Sequence, residues 1–271
     1  MNSHTAAFDS IVDKNPYLKV TMQDYFVPQM RYTYTYTSPA NLLHPIRWET
    51  TIAESGNVTS LGMMIGGKSW NEKDKQLFKN PYSQYVKLET DFTKTWTIGA
   101  LSRLVGHVNA GIIYAYGNSE WLPNSELFYV GGANSIRAFT IRSIGPGSYR
   151  DTEGYDFYLD QTGDVKLELN AEYRFPFINA FQGAFFIDAG NVWLMREDGY
   201  HDGGTLKDNG FFKSLALGTG FGLRYDLDFL ILRLDLGIGI HAPYNTGKSS
   251  YYNISKFKDS FAFHFAVGYP F

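Results

Sequence analysis

No cysteine occurs among the 271 residues of the chain, which removes thiol nucleophiles, thiolate metal sites and disulfides together. Charge is also scarce, with Asp, Glu, Lys and Arg at 19% against the roughly 25% of an ordinary soluble domain. The 24 basic and 27 acidic residues leave a net charge of -3 and form no Lys/Arg-rich run, so the electrostatic footprint of a nucleic-acid-binding protein is missing. No apolar run approaches the roughly 18 residues that a membrane helix needs. The opening MNSHTAAFDSIVDKNPYLKV has neither a basic n-region nor an apolar h-region, and is not a secretory signal. There is no G-x-S-x-G and no H-E-x-x-H, and the six histidines are scattered, which argues against an outer-membrane hydrolase or any other enzyme built on those motifs.

What the chain has instead is aromatic residues, 17% of the total, set in strict alternation. From Val165 to Phe175 the odd positions Val165, Leu167, Leu169, Ala171, Tyr173 and Phe175 are apolar, while Lys166, Glu168, Asn170, Glu172 and Arg174 are polar. A period of two is the mark of a strand with two unlike faces. The same alternation runs through Leu232–Ile240 and Phe261–Phe271, and further strands are expected at Tyr25–Thr37, Pro45–Glu54, Tyr85–Trp96, Leu101–Tyr116, Ala184–Trp193 and Leu215–Asp226. This makes nine strands and no helix. Short connectors near 38–44, 97–100, 176–181 and 227–229 alternate with long ones near 55–81, 117–161, 195–212 and 242–258, the meander of a transmembrane β-barrel with tight periplasmic turns and long outer loops.

A soluble β-sandwich also alternates, but two features favour the membrane. About 9 to 11 residues per strand suits a tilted crossing of the bilayer, whereas soluble strands average about 5 or 6. Aromatics also crowd the strand ends at Trp48, Trp96, Tyr114, Tyr116, Trp193 and Tyr269, as interfacial girdles do. The charges Lys166, Glu168, Glu172, Arg174, Arg224, Asp226, Arg233 and Asp235 must then face the lumen, because Lys or Arg on the lipid face costs about 2–4 kcal/mol near the midplane. Gly218, Gly220, Gly222, Gly237 and Gly239 share that lumen face. Glycine in a strand often marks the close approach of another backbone, so a segment is expected to pack inside against this wall.

The segment 127–149, LFYVGGANSIRAFTIRSIGPGSY, carries Gly131-Gly132, then Ile136-Arg137-Ala138-Phe139, then Gly145-Pro146. It resembles the inserted loop of the BamA/TamA superfamily of outer-membrane assembly and translocation factors, also called bacterial surface antigens, whose hallmark is a hydrophobic-Arg-Gly-aromatic tetrad in that setting. Ala138 stands where the family usually has glycine, and its methyl group disfavours a positive φ at the tip. NAEYRFPF (170–177), FFIDAGNVW (185–193) with Phe186, Asp188 and Gly190, and GFGLRYDLDFLILRLDLGIGI (220–240) follow in family order. A terminal Phe271 with Tyr269 resembles the family's C-terminal insertion signal.

The resemblance implies an all-β fold, an antiparallel transmembrane β-barrel in the bacterial outer membrane, with residues 1–271 as a single barrel domain and 117–161 as the inserted lumen loop. It implies the C-terminal nine of sixteen strands, with POTRA domains and the first strands absent, so that the chain is expected to be a fragment unable to close alone. The loop motif Ile136, Arg137, Ala138 and Phe139 is expected to dock on the lumen partners Glu172, Phe186, Asp188 and Gly190. The implied activity is non-enzymatic and needs no cofactor or metal: insertion or translocation of proteins in the outer membrane. Its partners would be outer-membrane lipids, unfolded outer-membrane protein clients and periplasmic or accessory assembly subunits, with no nucleic acid. A passive porin-like channel or ligand transporter is the alternative.

Overall fold

The computed structural model describes residues 25–39, 41–70, 72–73, 75–150, 161–178, 180–207, 210–227, 229–254 and 256–271. The opening segment 1–20 and the last part of the expected loop, 151–160, lie outside the described residues. The strands are β1 (Gln29–Thr37), β2 (Ile46–Ser55), two short ones, β3 (Gln76–Leu77) and β4 (Asn80–Pro81), then β5 (Tyr85–Thr97), β6 (Arg103–Ala115), β7 (Val165–Ile178), β8 (Phe181–Trp193), β9 (Ala216–Asp226), β10 (Ile231–His241) and β11 (Phe261–Val267). Nine of them form one sheet in the order β1-β2-β5-β6-β7-β8-β9-β10-β11, and β3-β4 form a separate hairpin. Among the described residues β1 and β11 are not paired with each other.

Alternation places the side chains as a period of two requires. Along β7, Leu169 and Tyr173 are exposed while Glu168, Asn170, Glu172 and Arg174 are buried. The neighbouring strands follow: Phe185 and Ile187 are exposed and Phe186 and Asp188 buried on β8, and Leu234 and Leu236 are exposed and Arg233 and Asp235 buried on β10. This is the inverse of a soluble protein, with apolar side chains outside and ionic ones inside. The pairing registers keep the faces aligned, with Asn170 opposite Asp188 and Glu172 opposite Phe186 across β7 and β8.

Two compact units divide the described chain. The first holds the ends of β2, β5 and β6 nearest the long connectors, within Ile52–Leu88 and Ile113–Leu127. Its core is polar as well as aromatic: Tyr82, Tyr85, Ser60 and Gln84 are buried, and the Gln84 side-chain oxygen accepts from Ser60 Oγ and from the Asn118 amide, both at 2.9 Å. The second contains Glu89–Ile112 and everything from Phe128 to Phe271, including the candidate site.

Four expectations need correction. An α-helix, α1 (Asn57–Ile65), stands in the 55–81 connector; with only nine residues, β-branched Val58 and Thr59 and a glycine at 62, its intrinsic propensity is weak and tertiary contacts hold it. β11 stops at Val267, because Gly268 takes φ 83 and turns the last three residues off the ladder. Tyr269 therefore lies over the Arg174 guanidinium at 4.0 Å rather than in a girdle. Trp193 is also no girdle residue: it is buried, donates from Nε1 to Ser214 Oγ at 3.1 Å and stacks on Phe211.

The β3-β4 hairpin turns on Phe78 and Lys79, both at positive φ (51° and 70°). Such a turn favours Asn-Gly, since side chains other than Gly, Asn or Asp are strained there. Lys79→Gly is expected to raise stability by about 1 kcal/mol, read as a higher urea midpoint. An unchanged or lower midpoint would count against the turn geometry.

Candidate functional site: a loop pinned to the polar face

The polar face of β7–β10 carries an ionic cluster that the register assembles. Arg224 on β9 stands directly opposite Arg233 on β10, a like-charge pair that is unfavourable unless bridged. Asp235 bridges it, accepting from Arg224 Nη1 at 2.6 Å and pairing with Arg233 Nε at 3.2 Å. Glu172 on β7 accepts from Arg224 Nη2 at 3.1 Å and from Arg174 Nε at 2.7 Å. Arg224, Arg233, Asp235 and Glu172 have fully buried side chains.

Into this cluster reaches a loop between β6 and β7. Its base is closed by paired backbone hydrogen bonds between Phe128 and Gly163, and its tip by Gly132 N to Phe139 O (2.8 Å) and Phe139 N to Ile136 O (3.0 Å). The tip presents Arg137, fully buried. The Arg137 side chain binds Asp188 through two parallel bonds, Nε to Oδ2 and Nη2 to Oδ1, each 2.8 Å, while its backbone N–H donates to the same Oδ2 at 3.0 Å. Nη1 donates to Glu172 and lies 3.8 Å from Asp235 Oδ2. The guanidinium lies 3.6 Å from the Phe186 ring centroid, so the cation has carboxylates at its edge and an aromatic face beneath it. Bidentate charge-assisted bonds of this kind fix orientation as well as position.

Neighbouring contacts extend the grip. Asn170 donates to Asp188 Oδ1 (2.9 Å) and to the Ser135 carbonyl (3.0 Å), Ser135 Oγ donates to Glu168, and Arg233 donates to the Ala133 carbonyl at 3.0 Å. His264 on β11 bonds the Arg137 carbonyl oxygen through Nε2 at 2.8 Å. Farther along the loop, Gly147 N donates to Val192 O at 2.7 Å and Asn191 Nδ2 to Gly147 O at 2.8 Å. Ser148 N donates to Gly203 O, which attaches the loop to the connector after β8. There His201 Nδ1 and Asp198 Oδ2 lie 2.6 Å apart; burial opposes the Asp198 charge, but the hydrogen bonds of His201 and of the backbone hold its pKa below the usual carboxylate range.

The wall under the tip is glycine. A Cβ on Gly237 would strike the Arg137 carbonyl, with Ala138 Cα only 2.8 Å away, and one on Gly218 would strike the Ala138 methyl. Gly190 underlies Ile136, whose Cδ1 would be 3.2 Å from an added Cβ. Ala138 does not take a positive φ, so the methyl group that departs from the usual glycine costs no backbone strain; it fills the space over Gly218.

All four expected partners, Glu172, Phe186, Asp188 and Gly190, thus meet the segment Ile136–Phe139. Asn170, Ser135 and the His264 contact to the Arg137 carbonyl lie outside the expected partner set; Asn170 sits on the same alternating face as Glu172, where position alone points to it. Phe271 does not continue the strand; it stacks on His107, with centroids 4.8 Å apart and planes 3° from parallel. Among the described residues no group of His, Asp and Glu could hold a metal ion.

A wide antiparallel sheet with lipid-compatible side chains on one face, and a buried ionic cluster clamping a loop on the other, defines an integral outer-membrane β-barrel protein. The Omp85 superfamily domain matches residues 54–271. The chain belongs to the Omp85 superfamily. Outer membrane protein assembly factor BamA of Neisseria meningitidis serogroup B is 33% identical over 122 residues, 43% of this chain and 13% of that protein. Among solved structures, BamA from Haemophilus ducreyi lacking POTRA domains 1–3 is similar over 89% of this chain and 55% of that one, at 17% identity and a TM-score of 0.47. CdiB from Acinetobacter baumannii is similar over 88% of this chain and 41% of that one, at 14% identity and a TM-score of 0.39. The chain therefore spans 13% of the curated relative and 55% of the Haemophilus chain.

Proposed function

We propose that this protein assists the insertion or translocation of other proteins in the bacterial outer membrane, without enzymatic chemistry, and that Ile136–Phe139 is the lock that holds its inserted loop 117–161 within a single barrel domain. The observation that carries the reading is the burial of Arg137 between Asp188, Glu172 and Phe186. A tip fixed by this many bonds suits a barrel that holds its interior in one arrangement while a seam exchanges strands. Exposed sheet edges recognise client strands through backbone hydrogen bonds, and unfolded outer-membrane proteins supply such strands. Tyr269 and Phe271 would serve as the insertion signal during the protein's own assembly, and afterwards rest against Arg174 and His107. Periplasmic or accessory subunits would deliver the clients.

Depletion of the protein in its own cell tests this. Outer-membrane levels of other β-barrel proteins, or export of a secreted partner, are expected to fall while lipid composition holds. Unchanged levels, together with solute conductance by the purified protein in planar bilayers, would favour the porin-like reading instead.

A further inference from the structure

The helix α1 is amphipathic in the wrong sense for a water-exposed connector. Val58, Leu61 and Ile65 recur at i, i+3 and i+7, one face of a helix, and are 62%, 56% and 85% exposed. Its polar Ser60 is the buried one, bonding Tyr82 Oη at 2.6 Å and Gln84 Oε1 at 2.9 Å. Asn57 joins the same side: its backbone N–H donates to Glu54 Oε2 at 3.2 Å, and its side-chain oxygen accepts from Tyr116 Oη at 2.8 Å and from Gln84 Nε2 at 3.1 Å.

Of the positions that hold α1, Glu54 lies on β2, while Gln84 and Tyr116 continue β5 and β6 by one residue each, joined by a backbone bond from Tyr116 N to Gln84 O at 3.1 Å; all three are even-numbered, and Tyr82 stands just before them. Even positions on these strands belong to the apolar outer face, where Ile52, Val86, Leu88 and Tyr114 are exposed. The helix therefore seats on the lipid side of the sheet, at the end of β2 and the start of β5, and turns its apolar residues away from the protein. It follows β2 on the side of the long connectors, the outer side of such barrels. Exposed apolar surface continuous with a lipid-facing belt is covered by the same medium that covers the belt.

We propose that α1 is an interfacial helix that lies in the outer leaflet at the boundary of headgroups and acyl chains, with Val58, Leu61 and Ile65 in lipid. The absence of native cysteine allows a direct test. Leu61→Cys, Ile65→Cys and Lys73→Cys, the last at an exposed side chain beyond the helix, are each spin-labelled in the protein extracted from outer membranes and reconstituted in lipid vesicles, with heat-modifiable migration confirming that each variant is folded. Labels at 61 and 65 are expected to collide readily with oxygen and to lose the collisions with a water-soluble nickel chelate that the label at 73 retains. Nickel collisions at 61 and 65 equal to those at 73 would place the helix in water and overturn the proposal. Protection from both reagents would mean that protein, not lipid, covers it, and would overturn it equally.

Discussion

Arg137→Ala is expected to cost about 3–5 kcal/mol, the range for removing one partner of a buried ion pair. The loss falls unevenly. Glu172 keeps Arg174 and Arg224, whereas Asp188 loses both its charged bonds and retains only Asn170 among the side-chain donors described above. Asp188→Asn added to Arg137→Ala should therefore recover part of the loss, and a double-mutant cycle should give a coupling well above the few tenths of a kcal/mol of independent sites. Arg137→Lys should not rescue, since an ammonium cannot span both Asp188 oxygens while also reaching Glu172 and lying flat on Phe186. The urea midpoint and unfolding rate measure the effect, and protease cleavage within the loop reports whether the tip has left its seat. A protected loop with wild-type unfolding in Arg137→Ala would show that the glycine wall and the remaining loop contacts suffice, and the lock would be withdrawn.

Much of this site is written in the alternation of single strands. Once Val165–Phe175 is read as period two, Glu172 is assigned to the polar face, and the same step places Phe186, Asp188 and Asp235. The motif at Ile136–Phe139 then supplies a cation with nowhere else to go. Cross-strand register is not local, however. That Arg224 faces Arg233 depends on the turn after Asp226, and only this pairing explains why Asp235 sits between them. The helix α1 escapes for a different reason: nine residues with a glycine and three β-branched side chains, Val58, Thr59 and Ile65, carry little helical preference, and the contacts of Ser60 and Asn57 with Tyr82, Gln84 and Tyr116 lie at sequence distances no periodicity reports. Gly268, near the end of the last strand, marks a place where weaker pairing or a kink is expected, but the alternation runs past it to Phe271, and only its φ of 83° shows that β11 ends there. Charge, burial and face were thus legible where neighbours in sequence decide them, and opaque where partners far along the chain do.

Moving one methyl group from loop to strand should separate shape from charge in the lock. Gly218→Ala puts a Cβ against the Ala138 methyl, and crowding a packed contact costs about 1–3 kcal/mol. Ala138→Gly in the same molecule removes the obstacle: the next nearest atoms to a Cβ at 218 are the Ile238 carbonyl oxygen at 3.4 Å and Ala138 Cα at 3.6 Å, ordinary contact distances. The double variant should therefore return close to wild-type stability and loop protection, although each half is damaging or neutral alone. Gly237→Ala is the counterpart that cannot be rescued in this way, because its Cβ meets the backbone carbonyl of Arg137, which every residue at 137 would carry. It should displace the tip, break the bonds to Asp188 and Glu172, and add little further loss when combined with Arg137→Ala. Full additivity of Gly237→Ala with Arg137→Ala, or failure of Ala138→Gly to relieve Gly218→Ala, would mean that loop and wall are not in contact, since two changes acting on one shared contact cannot be independent.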